Sequence, residues 1–279
     1  MILKLPGRTL DLHEPQVMGV LNLTPDSFSD GGRYVDADTA LAQARTMIAE
    51  GAAIIDVGGE SSRPGAASVS IDEELSRTIP VIERIKRELD CIVSIDTCKP
   101  AVMDAACAAG AELINDIHAL LAEGAIEVAH RHAAAVCLMH KQGAPRTMQS
   151  DPQYSDVVSE VQAFLAARIA ACEAAGIERD RLLIDPGFGF GKTMPHNLQM
   201  LAHLDRFLTL GAPLLVGLSR KSMFGQLLGL PVGERLAPSI AAAVLAVRSG
   251  AHIVRAHDVA ATVAAIRFTS AVRQAGQAR

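Results

Sequence analysis

The chain has 279 residues, enough for one large domain or two small ones, and barrels of this length commonly form single units. Hydrophobic residues make up 49% and aromatic residues 3%, so the core must be built from Ala, Val, Leu and Ile, which suits buried parallel strands under helices better than an all-β fold. A net charge of -5 and a pI near 6.0, with no Lys/Arg run and almost no Tyr or Trp for base stacking, carry no footprint of a nucleic-acid binder.

The opening run is broken by Pro6, Gly7, Arg8 and Asp11 before a signal-peptide core could form, so no secretion is expected. From there short β-branched runs alternate with Ala- and Leu-rich amphipathic segments. A strand over 17–21 leads to a helix over 39–50, 54–57 to 72–88, 92–95 to 101–109, and 113–115 to 124–132. The pattern continues with 135–139 and 155–175, 182–184 and 197–208, 214–218 and 239–249, and 253–255 and 260–273. Several helices run into a glycine (Gly51, Gly110, Gly176, Gly250), which accepts the left-handed backbone of a helix stop. About eight βα units predict an α/β fold, a single (β/α)8 barrel of the TIM type. One domain over 1–279 is expected, with its motif-bearing core at about 16–273.

The longest apolar stretch, 239–247, falls well short of the ~18 residues that suggest a membrane span, so no membrane partner is expected. Five cysteines form no C-x-x-C pair and read as reduced, buried thiols of a cytoplasmic protein. Three connections are unusually long, 22–38, 58–71 and 141–154, and long ordered loops in barrels tend to carry function.

Nearly every predicted strand is followed at once by polar or charged residues that an ordinary turn does not need. They are Asn22, then 58–65 (GGESSRPG), Asp96 with Thr97, Asn115 with Asp116, His140, Asp185 opening DPGFGFGK, 219–222 (SRKS), and Arg255 with His257. In a barrel all would share the C-terminal rim, where catalytic groups collect. Each alone has a plainer reading: Asp96 before Thr97 and Pro100 could cap a helix, and Asn115 could anchor a turn. Arg63, Lys221 and Arg255 resist that reading, because a cation at a buried strand end must meet an anion, here expected from a ligand.

Two motif matches fail on spacing. A phosphate-binding P-loop ending at Gly191 needs Gly where Pro186 stands, and the dinucleotide fingerprint starting at Gly187 needs Gly where Lys192 stands. The histidines outside the rim fit no zinc spacing.

Together, NLTPDSFSDGG (22–32), DVGGESSRPG (56–65), SIDT (94–97), IND (114–116), DPGFGFGK (185–192), GLSRKSMFG (217–225) and RAHDV (255–259) resemble the segments of the dihydropteroate synthase family of folate biosynthesis, in that family's order. The resemblance implies that Asp96, Asn115, Asp185 and Lys221 hold a pterin. It implies that Asn22, Arg63, Arg255 and His257 meet the diphosphate and Mg2+, with Asn22 offering the metal an oxygen. Ser62, Pro64, Phe190 and Ser222 would border p-aminobenzoate, where sulfonamides bind in the family. The implied substrates are dihydropterin pyrophosphate and p-aminobenzoate, and the implied assembly is a homodimer. Ser62 stands where the family often has Thr, and Ala256 where a β-branched residue is usual. Three rival readings stay open: a methyltetrahydrofolate-binding transferase, a catalytically silent pterin-binding paralogue, and a metal-dependent barrel hydrolase.

Overall fold

The structure is a computed structural model describing residues 1–24, 37–61, 68–143 and 152–277. The three long connections therefore fall partly outside the described residues, and Ser62, Arg63 and Pro64 lie wholly outside them.

The chain begins with an antiparallel hairpin, β1 (Ile2–Leu5) and β2 (Arg8–Asp11), turning at Gly7 with a left-handed φ of 73°. The eight predicted strands follow as β3 (Gln16–Asn22), β4 (Ile54–Gly58), β5 (Ile92–Asp96), β6 (Leu113–Asp116), β7 (Ala135–Met139), β8 (Leu182–Asp185), β9 (Leu215–Val216) and β10 (Ile253–Ala256). They form one eight-stranded sheet in the order β8-β7-β6-β5-β4-β3-β10-β9. A parallel bridge from Ile184 to Leu214, with the Ile184 N–H donating to the Pro213 carbonyl at 3.0 Å, joins the two ends into a barrel. The strand expected over 214–218 is thus cut to two ladder residues.

Side chains alternate along each strand, and the two sets separate into two cores. Outward residues such as Val17, Ile55, Val93, Ile114, Val136, Ile184 and Val254 pack under the helices. Inward residues Met18, Ile54, Ile92, Leu113, Ala135, Leu183, Leu215 and Ile253 fill the barrel's lower half, joined by Leu3, Leu5 and Leu12 of the hairpin region. The hairpin is therefore a plug on the N-terminal end of the barrel. Arg8 fixes it there, donating to Glu112 Oε2 at 2.8 Å, while Lys86 reaches the same oxygen at 2.9 Å. One step further along the strands the inward positions turn polar: Asp56 lies beside Ser94, Gly58 beside Asp96, and Asp96 beside Asn115.

The helices are α1 (Ala37–Ala49), α2 (Ile71–Glu88), α3 (Pro100–Ala108), α4 (Ala125–Arg131), α5 (Val157–Ala174), α6 (Met194–Ala202), α7 (Ser222–Leu228), α8 (Leu236–Arg248) and α9 (Val259–Gln277). The four stop glycines carry φ of 101°, 110°, 91° and 96°, as a left-handed helix end requires. Two expectations change. The helix expected over 197–208 starts earlier, at a capping box in which Thr193 Oγ1 accepts from the His196 N–H at 3.3 Å, and it gives way after Ala202 to a 3-10 stretch, Leu204–Leu210. The unanticipated α7 buries Met223 and Phe224 in the core under the helices and packs beside α6.

Candidate active site

The polar upper layer opens into a cavity of about 320 Å³ at the C-terminal rim. Asn22, Asp96, Asn115, Asp185, Phe190, Lys221, Ser222, Arg255 and His257 all line it. Every described residue that the family resemblance assigned to the site is therefore gathered around one space, although they come from six different strands or the turns that follow them, while Thr97, Asp116 and His140 of the wider rim set do not line it.

The centre of the floor is a charge cluster. Arg255, on β10, donates from Nε to Asp56 Oδ2 at 2.6 Å and from Nη2 to Asp96 Oδ2 at 2.7 Å. Asn115 Nδ2 donates to the same Asp56 oxygen at 3.0 Å. The protein itself thus supplies anions opposite Arg255: β4 and β5 deliver two carboxylates to one arginine. One guanidinium cannot neutralise both carboxylates fully. Burial pushes Asp96 up to about 7; Arg255 opposes the shift, and Asp56, Glu74 and Asp116 reinforce it. Burial works against the charge on Arg255, but Asp56 and Asp96 outweigh it and hold its pKa above the usual value.

The two plainer readings are decided here. Lys99, not Asp96, is the N-cap of α3, and Thr97 Oγ1 accepts the Lys99 N–H at 3.3 Å, so Asp96 keeps its carboxylate for the cavity. The turn after β6 is anchored by Asp116, which accepts from the N–H groups of His118 at 2.7 Å and Leu120 at 2.8 Å. That leaves Asn115 facing inward.

Asp185 ends β8, and its Oδ1 accepts the Gly187 N–H at 2.7 Å. Burial raises its pKa against that hydrogen bond and the positive charge of Lys221. The glycine-rich turn that follows carries Phe190, whose ring centroid lies 4.4 Å from Lys221 Nζ. Lys221 is pushed down to about 8 by burial, against the attraction of Asp185. Its neighbour Arg220 is a non-glycine residue at φ 57°, a conformation that costs on the order of 1 kcal/mol. Ser239 Oγ receives the Arg220 N–H at 2.9 Å, and Arg220 Nη2 meets Asp258 Oδ1 at 2.6 Å, so the strained turn is held from two sides. His257 is oriented by Ser219, its Nδ1 lying 3.0 Å from the hydroxyl.

Sequence reasoning left out Arg235, gave Asp56 no role, and named Ser219 and Arg220 only as part of the rim segment 219–222. Asp56 sits in an apolar strand, where a fully buried carboxylate needs a partner, and that conflict was the signal available for it. Ser219, Arg220 and Arg235 line the cavity. Among the described residues no group of three or more His, Cys, Asp or Glu could hold a metal ion, and no helix is long and apolar enough to cross a membrane.

Comparison with known proteins agrees with this geometry. A family model described as pterin binding enzyme matches residues 18–257. Dihydropteroate synthase of Escherichia coli K12 is 53% identical over 269 residues, covering 96% of this chain and 95% of that protein. The crystal structure of the Yersinia pestis dihydropteroate synthase with a sulfonamide drug superimposes with a TM-score of 0.94 at 51% identity, covering 98% of this chain and all of that one. The Xanthomonas albilineans enzyme in complex with 7,8-dihydropteroate gives 0.90 at 47% identity, covering 98% and 99% of the two chains. On the barrel, the convergent rim and these matches together, the chain belongs to the pterin-binding enzymes and, among them, to the dihydropteroate synthase family.

Proposed function

We propose that this single barrel domain transfers a pterinylmethyl group, joining p-aminobenzoate to (7,8-dihydropterin-6-yl)methyl diphosphate to give 7,8-dihydropteroate and pyrophosphate. The observation that carries this reading is the convergence of Asp96, Asn115, Asp185 and Lys221 on one cavity. A pterin's amino and ring N–H groups are donors, which two carboxylates and an amide oxygen accept, while Lys221 donates to the ring's carbonyl and imine acceptors. The sulfonamide and dihydropteroate complexes of the relatives are in keeping with it.

The diphosphate lies toward Arg255 and His257, with Arg63 as the further cation that the family pattern supplies. Asn22 offers an amide oxygen at the same rim, and Mg2+ takes oxygen ligands from few protein groups when phosphates supply the rest, so the donor set fits the ion. Asn22 would hold the ion there, and its charge would offset that of the leaving diphosphate. Phe190 and Ser222 border the arylamine side of the cavity, with Ser62 and Pro64 completing that border in the family pattern.

The C–O bond between the pterin methylene and the diphosphate breaks first, and its electron pair leaves with pyrophosphate. The arylamine nitrogen then donates its lone pair to the methylene carbon, and the anilinium proton passes to solvent. Asp96 stabilises the cationic pterin, while Arg255, His257 and Arg63 stabilise the departing charge, so preorganised electrostatics carry the reaction without a covalent enzyme intermediate. The order is tested by mixing enzyme, Mg2+ and pterin diphosphate without arylamine. Slow pyrophosphate release supports it; release that is strictly absent until p-aminobenzoate is added contradicts it.

Two assignments complete the reading. A homodimer is supported by exposed apolar side chains on the adjacent helices α8 and α9: Leu245 is 54% exposed, Phe268 73% and Val272 54%. A cytoplasmic setting is supported by five free cysteines, three of them buried.

A further inference from the structure

One buried amine takes no part in this mechanism. Lys192 closes the glycine-rich turn after β8, is 2% exposed, and does not line the cavity. Its Nζ donates to the carbonyls of Gly187 at 3.0 Å and Phe190 at 3.1 Å, and lies 2.9 Å from His140 Nδ1 and 3.3 Å from the His140 carbonyl. Burial pushes the Lys192 amine down to about 7, against the attraction of Asp185, and its N–H donors face this ring of acceptors. Burial holds His140 down to about 3, leaving a neutral ring able to accept at Nδ1.

The acceptors come from two places, the turn itself and the residue that follows β7, so the amine ties one to the other. The backbones are in contact there: a Cβ on Gly187 would lie 1.8 Å from the His140 carbonyl oxygen, and one on Gly191 would lie 2.2 Å from that of Gln142. Asn197 holds the opposite flank, accepting the Gly189 N–H at 2.7 Å and donating to the Thr193 carbonyl at 2.7 Å. Phe190 hangs between these two clamps, with its ring over Lys221. Asp185, although its Oδ1 accepts the Gly187 N–H, is a strand residue fixed separately by the β-ladder to β7.

We propose that Lys192 is a positioning residue for the arylamine subsite: by holding the Gly187 and Phe190 carbonyls against the end of β7, it sets the Phe190 ring and so governs p-aminobenzoate and sulfonamide binding without touching either. This rests on the synthase reading and on Phe190 bordering the arylamine.

Lys192→Met keeps the aliphatic stem and removes the donors. The KM for p-aminobenzoate and the Kd of a sulfonamide are each expected to rise about tenfold, with pterin Kd within about twofold of the unmutated chain. His140→Phe removes one acceptor, keeps an aromatic ring against Phe164, and should shift the same constants in the same direction by a smaller factor. It carries the test if Lys192→Met does not fold. Arylamine constants unchanged in the folded variants overturn the proposal, as do pterin and arylamine binding weakened equally. Absence of dihydropteroate from the unmutated chain would sink the synthase reading instead.

Discussion

Asp96 is where charge, burial and substrate chemistry meet. It shares Arg255 with Asp56, and in the free protein it holds its proton up to about 7. The pterin's donors need the ionised carboxylate, so binding draws that proton off and affinity should rise as pH climbs through about 7. Lys221 works in the other sense, because above about 8 it loses its charge and a donor. Pterin affinity is therefore expected to follow a bell with its acid limb near 7 and its alkaline limb near 8, limbs that belong to the coupled cluster. Calorimetric titration across pH checks this; in Asp96→Asn the acid limb should vanish, and its survival would count against the assignment. The sequence placed Asp96, Asn115, Asp185, Lys221 and Arg255 on one rim because each follows or ends an apolar run. It was silent on Asp56 and Lys192, whose roles depend on partners 199 and 52 residues away.

At the scale of elements, the barrel divides its work between its two ends. The N-terminal plug is packing: Leu3 is fully buried among inward residues of the barrel's lower layer, far along the strands from Asp96. Leu3→Ala is expected to lower stability by ~2–4 kcal/mol while leaving the catalytic constants unchanged. Urea unfolding beside steady-state kinetics measures both, and a fall in kcat matching the loss of stability would refute the division. Eight strands and most helices were legible because their periods of two and 3.6 are strong over several residues. The hairpin escaped because two four-residue strands carry little pattern, and α7 because Gly225 and Gly229 interrupt a short apolar run. The shortness of β9 follows from where the ring closes, a matter of topology that no local window contains.

At the scale of the whole molecule, an apolar strip on α8 and α9 remains outside the barrel's own packing. Sedimentation of the chain should give the mass of a dimer, and Phe268→Asp should weaken association at least about tenfold with the monomer still folded. A monomer at micromolar concentration would contradict that assignment. The central claim, however, is that residues from six strands and their turns form one site that makes dihydropteroate. The most direct measurement is chromatographic detection of dihydropteroate, with pyrophosphate release, by purified protein given Mg2+, p-aminobenzoate and the pterin diphosphate, beside Arg255→Ala. Product that requires both substrates and falls by at least about a hundredfold in the variant is predicted; pterin binding without product in the unmutated chain would contradict the account and identify a silent pterin-binding paralogue.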